Sequence, residues 1–245
     1  MKVSFVLRES WATYKEQWWH LVPIAFFLYF FLSLFALIAT AAFGGTIGVL
    51  AGLVLTFVGY FWLQAIHMEE TFHLREGHTD VPMRQVFREA RPRVKTLVAA
   101  ALLGGIALVV GFVLLIVPAL VLMTRWSMLV PVVVLERAGV REAFRRSSEL
   151  VRGNGWKVFS VLAITYVFVV PIFLLVQYVL GQALAGTDPE LRSFISDLIY
   201  EPLTAPLIVL VWTSMYFRLK EAEAYPAAAT PVPTSVGSAV GSLAG

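Results

Sequence analysis

The chain has 245 residues, 59% of them hydrophobic and 14% charged, with a mean hydropathy of +0.79 and a formal net charge of +3. A water-soluble domain carries about 25% charged residues, so this composition excludes an ordinary soluble globule and points to an integral membrane protein. The absence of cysteine excludes disulfides, thiolate metal sites and cysteine nucleophiles.

Residues 1–20 form an amphipathic helical pattern. Counting from Val3, apolar or small residues fall at offsets 3, 4, 7 and 11, as Val6, Leu7, Ser10 and Tyr14. These positions share one helical face about 100° wide. The pattern recurs from Met83 as Val86, Phe87, Ala90 and Val94, and from Val140 as Ala143, Phe144, Ser147 and Val151. Arg8, Arg88 and Arg145 stand at offset 5 of the three copies, and Lys15, Lys95 and Arg152 at offset 12.

Each copy leads into apolar sequence long enough for two crossings. The first run, 21–43, exceeds the roughly 7–15 residues of a signal-peptide core, so it is expected to be a span that stays in the mature protein. Gly44-Gly45 breaks the chain before a second span, 46–66. The stretch 97–135 is almost unbroken apolar sequence apart from Arg125, and as one helix it would reach about 58 Å. A hydrocarbon core is roughly 30 Å thick, so a tight hairpin of spans 97–117 and 119–135 is expected, turning at Pro118. Spans 156–180 and 198–217 complete a third hairpin through a looser Gly181–Leu191 loop. Beyond Ala224 the chain is uncharged and rich in Pro, Ala, Ser, Thr and Gly, which predicts a disordered cytoplasmic tail over 224–245.

Seventeen of the nineteen Lys and Arg residues fall in segments 1–20, 67–95, 136–157 and 218–245, all on one side of this six-span layout. The other side carries Arg192 against Asp188, Glu190, Asp197 and Glu201. The positive-inside bias therefore predicts that both termini are cytoplasmic. The expected architecture is all-α: six transmembrane helices in three hairpins, each preceded by an amphipathic interfacial helix, with pseudo-threefold repeats at about 1–79, 80–138 and 139–223. Gly44, Gly48 and Gly52, with Ala101/Gly105 and Ala107/Gly111, have the small-residue spacing of closely packed membrane helices. Trp11, Trp18, Trp19 and Trp156 are placed to anchor at the interface.

Chemistry is sparse in this sequence. Arg125 is a charge well inside a span, and such residues face protein, a partner or a water cavity. Arg125 lies about 10 Å in from the outer turn, and Asp197 and Glu201 enter the last span from that same outer side, so an Arg125–Glu201 pair, or an anion-gripping site, is expected there. Arg88, Arg91, Arg93, Arg141, Arg145, Arg146 and Arg152 cluster where anionic headgroups of the inner leaflet would lie. Pro131, Pro171, Pro202 and Pro206 interrupt spans, a device that transporters use. His67, His73 and His78 follow the second span, and Glu70 and His73 have the Glu-x-x-His spacing of di-iron bundles. A single copy without further carboxylates predicts no metal site. No phosphate-cradling glycine loop, Gly-x-Ser-x-Gly or His-Glu-x-x-His motif is present, so neither catalytic residues nor a cofactor is expected.

The order Leu114-Leu115-Ile116-Val117-Pro118, Arg125-Trp126, Leu135-Glu136, Ala143-Phe144-Arg145-Arg146-Ser147 and Leu150-Val151-Arg152-Gly153-Asn154 resembles the membrane-domain family fused to some bacterial glycerophosphoryl diester phosphodiesterases, which also occurs alone. Ala119 departs from the glycine that relatives often carry after the proline. In fused members the phosphodiesterase reaction belongs to a separate barrel of about 250 residues, for which these 245 residues leave no room. The resemblance implies a multi-pass protein of the bacterial cytoplasmic membrane, without catalytic residues to carry over. The expected function is non-enzymatic: a lipid- or envelope-related scaffold or lipid-interacting module, with membrane lipids rather than nucleic acid as partners. The alternative is a small transporter with an anionic-substrate site near Arg125.

Overall fold

The computed structural model describes residues 2–75 and 82–224. Of the tail predicted over 224–245, Ala224 ends the last helix and 225–245 lie outside the described residues, as does His78. The chain folds as α1 (Val3–Phe43), α2 (Gly45–Arg75), α3 (Met83–Ala90), a 3-10 turn (Arg91–Arg93), α4 (Val94–Leu114), α5 (Ile116–Arg125), α6 (Leu129–Leu135), α7 (Val140–Val151), α8 (Gly155–Ala183) and α9 (Pro189–Ala224). Six helical segments are long and apolar enough to cross a membrane, with α3 continuing into α4 and α6 continuing α5. Helices dominate because lipid cannot satisfy a backbone amide, so each crossing must close its own hydrogen bonds. Large apolar side chains such as Phe27, Phe35, Ile106, Val109, Val167 and Phe168 are exposed, as a lipid-facing surface requires.

The first hairpin turns where the sequence predicts. Gly44 and Gly45 have φ of 61° and 47°, a left-handed backbone that favours glycine. Gly44 accordingly serves the turn and not helix contact. Its partners in the spacing, Gly48 and Gly52, do mediate close approach: a Cβ on Gly48 would collide with the Thr40 carbonyl, and one on Gly52 with the Thr40 hydroxyl. Gly111 meets Ala119 across the second hairpin, where an added Cβ would lie 3.3 Å from the Ala119 Cα. Gly105 faces open space, so the small-residue spacing has no packing role there.

Three expectations need correction. The second hairpin turns at Leu115, which is extended at φ −166° and ψ 142°, and Pro118 is the third residue of α5. A proline in the first turn of a helix is tolerated because the amide it lacks would have no intrahelical acceptor there. Second, α1 is one unbroken 41-residue helix. Its amphipathic start is therefore not a separate element; at about 61 Å it far exceeds a membrane core, so one end projects beyond the apolar layer. Third, the fourth span is not a continuous helix: it breaks over 126–128, immediately after Arg125.

The apolar faces of the amphipathic segments are turned to protein. Offsets 3 and 7 are buried in every copy: Val6 and Ser10, Val86 and Ala90, Ala143 and Ser147. Ser10 donates to the Leu210 carbonyl at 3.3 Å and Tyr14 to the Leu203 carbonyl at 2.9 Å, tying the start of α1 to α9. In the third copy the segment is set apart from its span by a turn at Gly153, with φ 78°. Trp11, Trp18, Trp19 and Trp156 are all exposed.

A polar clamp joins α6, α7 and α9. Arg146 donates to Glu136 through Nε at 2.9 Å and chelates Glu223 through both terminal nitrogens at 2.6 Å. Tyr216 donates to the same Glu136 at 2.9 Å, and Lys220 lies 3.5 Å from it. Arg146 is thus committed to protein carboxylates, which corrects its assignment to lipid headgroups. Burial alone would push the Glu136 carboxyl up, but the Arg146 and Tyr216 hydrogen bonds and the neighbouring charges outweigh it and hold that carboxyl below its ordinary range. A carboxyl whose folded pKa is depressed stabilises the fold above the unfolded value and loses that contribution as pH falls through the folded value. We therefore expect stability in detergent to drop as pH falls below about 4, and Arg146→Met to flatten that acid limb. Thermal unfolding followed across pH checks this; an unchanged limb in Arg146→Met would assign the acid loss to other groups.

Candidate functional site

The break after Arg125 is held by one side chain from another helix. The buried Ser147 hydroxyl donates to the Arg125 carbonyl at 2.7 Å and accepts from the Met128 amide at 3.2 Å. Two backbone groups freed by the break are thereby satisfied from α7. Ser127 donates to the Thr124 carbonyl at 2.8 Å, and Trp126 packs edge-on against Phe144 with ring centroids 4.8 Å apart. The motif residues Trp126, Phe144 and Ser147 therefore act as a joint between α5 and α7.

This joint positions Arg125 beside the turn that follows α7. A groove of about 430 Å³ lies there, with Arg125, Arg152, Thr124 and Ser148 at its polar end and Val117, Leu120, Val121 and Phe159 along its wall. Trp156 and Gly155 close the side next to α8. Val117, Val121 and Trp156 are 68%, 48% and 79% exposed, so the groove opens on the lipid-facing surface. Neither guanidinium has an acidic partner among the described residues. Arg152 is carried by the Val151–Asn154 turn, whose left-handed Gly153 explains the Arg-Gly-Asn order in the sequence.

The expected Arg125–Glu201 pair does not form among the described residues. Arg125 lines one groove together with Arg152, whereas Asp197 lines a different cavity with Glu190, Ser193 and residues of α1 and α2. The physical cause lies in α5: Val117, Leu120, Val121, Thr124 and Arg125 share one face of that helix, and this face is packed toward α7 and the start of α8. Of the other arginines singled out from sequence, Arg88, Arg91, Arg141 and Arg145 are exposed, and Arg145 lies 3.9 Å from Glu149. Arg93 is half-buried and its Nε has no hydrogen-bond partner.

Glu70 and His73 do not act together as their spacing proposes. His73 bonds Glu89 of α3 at 3.1 Å, and Gln85 fixes the other Glu89 oxygen at 2.9 Å. Glu69, His73 and Glu89 each bring one ligand-type atom within 4.8 Å of the others, the arrangement nearest to a metal-binding set among the described residues. Pro171, Pro202 and Pro206 sit inside α8 and α9 without ending them.

No curated protein and no solved structure matches the chain. Residues 99–219 match the family model described as the membrane domain of glycerophosphoryl diester phosphodiesterase, a stretch that contains the α5–α7 joint, the groove, and Glu136, Arg146 and Tyr216 of the clamp. This part of a six-span membrane protein belongs to that membrane-domain family.

Proposed function

We propose that the protein is a non-enzymatic lipid-interacting module of the membrane, and that the Arg125–Arg152 groove holds an anionic phospholipid. One observation carries this reading: two guanidiniums without acidic partners among the described residues stand at the polar end of an apolar groove that opens to lipid. A phosphodiester headgroup matches the two arginines, and an acyl chain matches the Val117, Val121 and Phe159 wall. The lateral opening supports lipid binding over transport of a soluble anion, which would need access through the bundle.

We further infer that the amphipathic segments are repeats of one unit and that the side bearing them is cytoplasmic. The shared burial of offsets 3 and 7 supports the repeat, as does offset 6, where Glu9, Glu89 and Arg146 each bridge to another element. The grouping of basic residues supports the orientation. The repeats then hold three hairpins in one sense around α9, with exposed Arg88, Arg141 and Arg145 toward anionic headgroups.

The test is retention of defined phospholipid by the purified full chain, read by native mass spectrometry. An anionic lipid such as phosphatidylglycerol is expected to be retained over zwitterionic phosphatidylcholine. At about 1 kcal/mol per arginine near a headgroup, Arg125→Gln with Arg152→Gln should weaken retention roughly 30-fold. Equal retention of both lipids, or no change in a folded double variant, refutes the proposal.

A further inference from the structure

A second site lies away from the groove, where α1, α2 and α9 meet. On α2, Thr56, Tyr60, Gln64, His67 and Thr71 fall within about 80° of one helical face. On α9, Glu190, Ser193, Asp197, Glu201 and Thr204 likewise share a face. These faces and Tyr29 of α1 converge: Tyr29 stacks on His67 with ring centroids 6.1 Å apart, and Glu201 lies within electrostatic reach of Tyr29 and Tyr60.

The centre of this interface is buried and only loosely paired: Glu201 approaches the Tyr29 hydroxyl, Tyr60 approaches Gln64, and the Leu63 backbone approaches His67. Tyr29, Gln64 and His67 are at most 2% exposed. The Tyr29 hydroxyl, both Gln64 amide atoms and both His67 ring nitrogens lack a hydrogen bond of ordinary geometry. Buried polar atoms are almost always paired, and an unpaired one costs about 1–3 kcal/mol, so several in one place call for a purpose. Asp197 and Glu201 have no lysine or arginine partner among the described residues.

Two cavities flank the buried line. One, of about 250 Å³, opens on the side of the Gly44–Gly45 turn and holds Asp197, Glu190, Ser193, Thr40 and Thr56. The other, of about 180 Å³, lies toward the basic side and holds Glu9, Glu16, Gln17, Thr71 and Ser214. Thr56 and Thr71 stand about 22 Å apart along α2, and Tyr60, Gln64 and His67 fill the interval. Cavities and line together reach across most of a hydrocarbon core of roughly 30 Å.

We propose that the α1–α2–α9 interface is a proton-transfer route joining these two cavities. Glu201 takes a proton from the Asp197 cavity, Tyr29 and Tyr60 connect it to His67, and His67 hands it toward Glu70, Gln17 and the Glu16 cavity. Transfer through His67 is balanced: one ring nitrogen accepts a proton as the other releases one. The ionisable groups facing the line are Tyr29 from α1, Tyr60, His67 and Glu70 from α2, Tyr166 from α8, and Asp197, Tyr200 and Glu201 from α9. Among the described residues none of these groups is bridged by a lysine or arginine, while Arg218 pairs with Glu9 at the rim of the basic-side cavity.

The experiment reconstitutes the full chain in phosphatidylcholine liposomes with a trapped pH-sensitive dye and a potassium diffusion potential, negative inside, set by valinomycin. Internal acidification is expected to be faster than in protein-free liposomes, to fall to the protein-free rate in Glu201→Gln and His67→Phe, and to persist in Glu201→Asp. Size exclusion and circular dichroism establish that the variants are folded; if they are not, the wild-type rate against protein-free liposomes decides. A wild-type rate equal to that of empty liposomes, folded variants that conduct like wild type, or simultaneous escape of a trapped small dye would each overturn the proposal.

Discussion

Gly48→Val is expected to be the most damaging single substitution in the first hairpin. A Cβ at this position collides with the Thr40 carbonyl, which belongs to the backbone of α1 and cannot rotate away. The neighbouring Gly52 offers no relief, because its own clearance is taken up by the Thr40 hydroxyl and the Ala36 carbonyl. Separating the helices would also loosen the α1–α2 face on which Tyr29 meets His67. Overpacking a tight core typically costs about 1–3 kcal/mol and more where backbone must move, so Gly48→Val should fall at or above the top of that range. Gly105→Ala is the matched contrast, since nothing lies within 4 Å of its added methyl. Replacing an exposed helical glycine by alanine gains up to about 1 kcal/mol. Unfolding temperatures in one detergent should therefore separate the two variants in opposite directions; equal shifts would remove the close-approach argument.

Ser147→Ala should be nearly as costly, for a different reason. The hydroxyl serves two backbone groups at once, the Arg125 carbonyl and the Met128 amide, and Met128 is fully buried. Its loss orphans both where water does not reach, at about 1–3 kcal/mol for each unsatisfied group. The effect should extend to function, because the joint aims Arg125 at the groove. We expect a lowered unfolding temperature and weaker retention of anionic lipid, while Ser148→Ala, whose hydroxyl also bonds the Phe144 carbonyl of its own helix, stays close to wild type in stability. A Ser147→Ala protein as stable as wild type would mean that the Trp126–Phe144 contact alone holds the break.

The two substitutions mark how far local pattern reaches. Gly48 could be singled out from spacing, but so could Gly105, which touches nothing. Ser147 was legible only as a small residue on an amphipathic face, and its partner is nineteen residues away at a break that hydropathy conceals. Arg146 read as one basic residue in a cluster, yet its carboxylate partners come from α6 and from the end of α9. Arg125 was recognisable as exceptional for its charge, and the expected partner was wrong because hydropathy does not show which neighbours the Val117–Arg125 face of α5 meets. His67 drew notice for a metal reading and not for its place between Tyr29 and Gln64.

The amino-acid sequence by itself determined that the protein is helical and membrane-embedded, how many times it can cross, which faces are amphipathic and which segments are basic. These follow from forces acting within a single helix: lipid compels every span to close its own backbone hydrogen bonds, and water compels charges to gather at the ends. Only the tertiary structure decided which faces meet. Apolar side chains are as comfortable against lipid as against protein, so hydropathy does not mark the inward side. That choice rests on a few close glycine contacts and polar bonds between distant segments. It sets Arg125 and Arg152 along one groove, commits Arg146 to Glu136 and Glu223, and gathers Tyr29, His67 and Glu201 at one buried interface.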